Sequence, residues 1–162
     1  MTKTSGKIGA NPSTELRINE KKWGKPLMDA GWTLLPNMLI VHQKGIGLDA
    51  IDINILLHLL SYWWKPAELP HPAKGSIAEA MSLDPRTVQR RIARMEADGL
   101  ISRQQRRGPS RGTQTNIYEF SGLITAATRL AKDHLAERAK KEAAKKIEAG
   151  RKGRGHLSVV SD

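Results

Sequence analysis

The chain has 162 residues, which suits one compact domain with extensions. Its 27 Lys and Arg against 16 Asp and Glu give a formal charge of +11, so a polyanion, nucleic acid or an anionic membrane surface, is the expected partner class. Cysteine is absent, which excludes disulfides and thiolate metal sites and leaves nothing that argues for secretion.

The opening residues, MTKTSGKIGANPSTELRINEKKWGK, hold no apolar core of a signal peptide. They are rich in Lys, Gly, Ser, Thr and Asn, and residues 1–30 read as a disordered basic arm. From Gly31 the texture changes. Trp32–Leu35 reads as a short strand-like piece, and Pro36 suits the first turn of a helix with Met38, Leu39 and Val41 toward a core. Gly45 and Gly47 end that helix. Asp49 is a good N-cap, with Asp52 in the following first turn. Ile53, Leu56, Leu57, Leu60 and Trp64 then fall at helical spacing and predict a core helix closed by Lys65-Pro66. The polar residues Asp52, Asn54 and His58 break the apolar run near Ile51–Trp64, so it cannot span a membrane, and a cytoplasmic protein without a membrane partner is expected.

KPAELPHPAKG, with three prolines, must be a loop. Ser76–Glu79 has the form of a capping box that opens a short helix through Met81. SLD makes a tight turn. Asp84 followed by Pro85 starts a helix to about Asp98, and Gly99 fits its left-handed C-terminal cap. Leu100–Arg107 and Thr115–Phe120 have strand character, and the GPSRGTQ between them makes a hairpin with a basic tip. Ser121 begins a last helix whose apolar positions are Leu123, Ile124, Ala127, Leu130, Ala131 and Leu135; AERAKKEAAKKIEAG extends it as a solvated helix. The expected organisation is an arm over 1–30, a domain over 31–121, a C-terminal helix over 122–149 and a disordered tail over 150–162.

A short helix joined by a tight turn to a second helix, followed by a basic hairpin, is the order of a winged helix-turn-helix. The expected fold class is therefore mainly α with a small β-hairpin wing and a long C-terminal helix. Turning the helix from Pro85 by about 100° per residue puts Val88, Ile92 and Met95 on one buried stripe. Arg86, Arg90 and Ala93 lie nearly opposite, Gln89 and Arg94 sit on the two sides of that outward face, and Thr87 and Arg91 flank the stripe. Arginine can bond guanine O6 and N7 together, and glutamine adenine N6 and N7; Thr87 near the helix N-terminus suits a phosphate. Lys74 and Ser76, at the start of the preceding helix, join the candidate DNA contacts. Arg103, Arg106, Arg107 and Arg111 cluster on the hairpin, with no acid between Asp98 and Glu119, and suit backbone or minor-groove contact.

Other chemistry finds little support. The five histidines make no metal-ligand spacing, Asp49 and Asp52 look like caps, and no phosphate-binding or dinucleotide loop is present, so neither a metal, a cofactor nor catalysis is expected. Trp32, Trp63 and Trp64 are interleaved with Leu and Ile, which favours packing over stacking on single-stranded bases.

The segments GWTLLPNMLI, LPHPAKGSIAEAMSLDPRTVQRRIARMEADGLISR and TNIYEFSGLI resemble the winged helix-turn-helix domain of bacterial, plasmid and phage regulators and replication-associated proteins. The resemblance covers about Gly31–Leu130 and departs at Ala73, where serine is common. It implies duplex DNA binding by the helix from Pro85, with Arg86, Thr87, Gln89 and Arg90 as contacts. The leading expectation is a non-enzymatic, sequence-specific transcriptional regulator. The alternatives are a plasmid or phage replication or partition protein at iterated origin sites, and an interaction protein that forms homodimers through its C-terminal helix.

Overall fold

A computed structural model describes residues 12–106 and 115–155, in two units divided between Leu34 and Leu35. In the first unit, α1 (Pro12–Trp23) and α2 (Lys25–Ala30) replace most of the expected disordered arm. Proline stands at the first position of α1, Glu15 lies in the first turn, and Lys21 and Lys22 lie in the last, so the charges complement the helix dipole. Strong helix formers do the rest; low apolar content had hidden this signal. Lys22 lies 4.9 Å from the centre of the Trp23 ring, and Lys25 bonds Asp29 one turn on. Residues 1–11 lie outside the described residues.

Residues 31–36 form no strand, which corrects the expectation for Trp32–Leu35. The second unit opens with α3 (Asn37–Val41) and α4 (Gln43–Ile46). Leu39 is buried, but Val41 is 66% exposed, because two residues on a helix are 200° apart. Gly45 lies inside α4, and Gly47, in left-handed conformation, ends it.

α5 (Ala50–Leu60) starts at a reciprocal capping box. Asp49 Oδ1 accepts from the Ile51 and Asp52 N–H groups at 2.9 and 3.0 Å, while the Asp49 N–H donates to Asp52 Oδ2 at 2.9 Å. The buried face is Asp52, Ile55, Leu56 and Leu59. Of the expected stripe only Leu56 is fully buried; Leu57 faces out, and Trp64 lies beyond the helix, 66% exposed. The phase slipped because Asp52, read as a cap alone, also belongs to the inner face. Trp63 packs on Phe120 at a ring separation of 5.4 Å, whereas Trp32 and Trp64 are exposed, against the packing expected of them.

The proline-rich loop ends at Ala73, and α6 (Lys74–Ala80) follows. It begins two residues before Ser76, so the expected capping box over Ser76–Glu79 does not form. Ala73 is the N-cap and supplies no side-chain bond, in line with its departure from the family pattern. After Met81, Leu83 N–H bonds the Ala78 carbonyl at 2.8 Å and Ser82 N–H the Glu79 carbonyl at 3.0 Å. This is a Schellman closure, and it holds Ser82 at φ 52°, in the left-handed region.

α7 (Pro85–Ala97) is capped by Asp84, whose carboxylate accepts from Arg86 N–H at 2.7 Å. Val88, Ile92 and Met95 are wholly buried, as the periodicity predicts, each worth about 1.5–3 kcal/mol. A second Schellman closure ends α7, with Gly99 at φ 69° in the position Ser82 holds in the first. β1 (Ser102–Gln104) and β2 (Ile117–Glu119) pair antiparallel, with Arg103 opposite Tyr118. They are shorter than the expected strands, since Leu100 and Ile101 turn into the core. Tyr118 N–H bonds the Pro70 carbonyl at 2.9 Å and ties the hairpin to the proline-rich loop.

α8 (Ser121–Gly155) is one helix of 35 residues, about 52 Å long. It includes residues 150–155, where the sequence predicts a disordered tail; residues 156–162 lie outside the described residues. Leu123 is buried, and Ala126 and Ala127 pack on the core, whereas Ile124 and Leu135 are half or more exposed. From Lys132 to Gly150 every residue is exposed, although the His134 ring stands edge-on to His42 at 5.9 Å. The second unit is a winged helix-turn-helix with a long C-terminal helix. No helix among the described residues is long and apolar enough to cross a membrane.

One joint has no space for a side chain. A Cβ on Gly122 would stand 1.8 Å from the Gly99 carbonyl oxygen, next to the 2.7 Å bond from Leu123 N–H to the Leu100 carbonyl. Gly122→Ala is expected to cost more than about 2 kcal/mol, the scale of overpacking against rigid backbone. A urea midpoint unchanged by this substitution would contradict the close approach.

Candidate nucleic-acid interface

The two ends of the α7 surface are held differently. On one side stand Arg91 and Arg94, three residues apart; facing them from α5 are Asp49 and Asp52, also three apart. Arg91 pairs with Asp49, and its Nη1 lies 3.5 Å from Asp52 Oδ1. Arg94 pairs with Asp52 Oδ2. The Asp52 side chain is fully buried, and its Oδ1 accepts no hydrogen bond among the described residues. Burial pushes the Asp52 carboxyl above its ordinary range, reinforced by Asp49 and opposed by its backbone bond and Arg94. Burial also opposes ionisation of Asp49, but the Asp52 N–H and the Arg91 guanidinium outweigh it and hold Asp49 at about 2.

On the other side Arg103 of β1 bonds Glu96 through both its backbone N–H, at 3.1 Å, and its guanidinium. The guanidinium bond holds the Glu96 carboxyl below its usual value. Higher on the same side, Lys74 Nζ donates to Gln89 Oε1 at 3.1 Å, linking the first residue of α6 to the second turn of α7.

These contacts sort the candidate residues. Arg86, Gln89 and Arg90 are exposed, and Thr87 is half-buried near the helix N-terminus. Neither Arg86 nor Arg90 pairs with a carboxylate among the described residues. Arg94 and Arg103 each have the guanidinium engaged by a carboxylate of the same domain, which sets them apart from Arg86 and Arg90. Ser76 is exposed on α6, and Arg106 is half-buried just past β1. Arg107 and Arg111 lie outside the described residues. Arg86, Gln89 and Arg90 thus form one exposed polar surface on the first two turns of α7, joined by Lys74 through its bond to Gln89, with Ala93 exposed one turn on.

The carboxylate pair on α5 was missed as a partner of α7. Its signal was the matched spacing of Asp49 and Asp52 with Arg91 and Arg94, which reading each helix alone does not reveal. Among the described residues no group of His, Asp and Glu could hold a metal ion.

Two outcomes follow. Arg94→Ala removes a partner of a buried carboxylate and should cost about 1–3 kcal/mol, whereas Arg90→Ala should stay within about 0.5 kcal/mol; equal melting shifts would contradict the sorting. Asp49 is depressed from 3.8 to about 2, so its stabilising contribution is complete above the unfolded value and is lost as pH falls from 3.8 toward 2. Asp49→Asn should therefore flatten the decline in stability across that window, measured by circular dichroism.

The family model for the DnaD N-terminal domain matches residues 35–142, which is 108 of the 162 residues. Among solved structures, the N-terminal domain of DnaD protein from Geobacillus kaustophilus HTA426 is similar in fold. It is 19% identical, with 76% of this chain and 96% of that one covered, at a TM-score of 0.52. A possible transcriptional regulator from Methanosarcina mazei Go1 is 20% identical over 65% of this chain and 84% of that one, at a TM-score of 0.39. A MarR/EmrR family transcriptional regulator from Acinetobacter sp. ADP1 is 15% identical over 93% and 100%, at 0.37. These two are looser likenesses. No curated protein matches the sequence.

Proposed function

The chain belongs to the DnaD N-terminal domain family, and on that premise we propose that it is a non-enzymatic protein that binds double-stranded DNA sequence-specifically, with α7 in the major groove. The observation that carries this reading is the sorting of the α7 arginines. Arg91 and Arg94 are held by α5, while Arg86 and Arg90 stay exposed with Gln89 around the helix N-terminus. A merely solvated helix gives no reason for the free guanidinium groups to gather at the end that enters a groove. The net charge of +11 supports a phosphate component to the affinity.

Two employments fit such a binder: transcriptional control at an operator, or replication or partition at iterated origin sites. Membership of the DnaD N-terminal domain family favours the second. Footprinting on the DNA around the chain's own gene separates them, by one protected operator or by a regular series. A homodimer through α8 remains compatible with either, and sedimentation of a chain ending at Ser121 tests it.

If about six phosphates are neutralised, log K against log salt should fall with a slope of about −5. Arg86→Ala and Arg90→Ala should each weaken a specific site by about 1–3 kcal/mol and affect non-specific duplex less. A flat salt dependence would defeat the reading, and equal losses on every sequence would reduce both arginines to phosphate contacts.

A further inference from the structure

The bond between Lys74 and Gln89 bears on which base α7 reads. Glutamine carries one carbonyl oxygen and one amide nitrogen, and the usual pairing with adenine uses both: the oxygen accepts from N6 and the nitrogen donates to N7. Here the oxygen already accepts from an ammonium group, at 3.1 Å. An ammonium has three donors and no acceptor, so it can only have met the oxygen. This orients the amide with its NH2 group left to donate. The ammonium keeps two further donors beside it, and an incoming adenine N6 amine, itself a donor, would approach a cation already bound to the atom it needs.

The joint surface of Lys74 and Gln89 therefore presents mainly donors, the amide NH2 and the remaining ammonium N–H groups, against one remaining lone pair of the oxygen. Guanine is the purine that offers two adjacent acceptors, O6 and N7, in the major groove. Gln89 is exposed in the second turn of α7, and Lys74 is the first residue of α6, so two helices converge on this pair. We infer that Lys74 is a specificity-determining positioning residue, which fixes the Gln89 amide, takes one of the two lone pairs of its oxygen, sets a cation beside the other, and so makes that position read guanine rather than adenine. This deepens the proposed function and rests on it. It also separates Lys74 from a simple phosphate contact, whose loss would weaken all sequences alike.

The test is selection of bound sites from randomised duplexes by the full-length protein and three variants. Gln89→Ala marks the base position that depends on this side chain. At that position the unaltered protein should select guanine over adenine by roughly tenfold or more. Lys74→Met should move the preference toward adenine there and leave the rest of the motif intact, while Lys74→Arg, which keeps a cationic donor, should retain guanine. Adenine at that position in the unaltered protein, or a motif unchanged by Lys74→Met, overturns this inference alone. A selection that yields no motif overturns it together with the sequence-specific reading. Lys74 is half-buried at the first position of α6, and an unchanged melting curve of both variants shows that the fold is intact.

Discussion

A fully buried carboxylate sets the orientation of the surface that matters. Asp52 sits inside the domain with one oxygen on Arg94 and the other beside Arg91, and the same residue closes the N-terminal box of α5. Leaving such a charge unpartnered would be costly, so α7 is not free to roll about its axis. Hydrophobic burial of Val88, Ile92 and Met95 brings α7 to the core but tolerates rotation of a few tens of degrees. The ion pairs are directional and remove that tolerance. What remains pointing outward, Arg86, Gln89, Arg90 and Ala93, is the consequence of what is held inward.

The same logic runs down the hairpin. Arg103 is held by Glu96 from α7, so the hairpin starts in register with α7 rather than as an independent ribbon. Pro70 adds a backbone bond to Tyr118 from the opposite direction. Among the described arginines of α7 and β1, Arg91, Arg94 and Arg103 are paired within the domain while Arg86 and Arg90 stay exposed, although all look alike in composition.

Much of the fold was legible from local rules. The pairing of Asp84 with Pro85, the period of Val88, Ile92 and Met95, and the glycine at position 99 all act within one or two turns, and each predicted its element. The failures came where one residue serves two purposes. Asp52 is both a cap and an inner-face residue, and treating it only as a cap rotated the predicted stripe of α5 toward Leu57 and Trp64. Ser76 looks like a cap, yet α6 begins earlier, at Lys74, without side-chain help. Arg94 and Arg103 read from local phase and clustering as two more basic surface residues, and only the tertiary structure shows their pairing with Asp52 and Glu96. The helices at Pro12–Ala30 escaped notice because they lack an apolar stripe, although propensity and end charges mark the first of them.

The close approach of Gly122 to Gly99 has a mechanical consequence. Most helix pairs meet through side chains, whose rotamers absorb small relative motions. Here the first turn of α8 rests on the backbone just past α7, with a hydrogen bond from Leu123 to Leu100 alongside. Such a joint has little slack. The solvated shaft of α8 is a lever with its fulcrum at the base of α7, and a torque applied far along it arrives at α7 as tilt rather than being lost in rotamer changes.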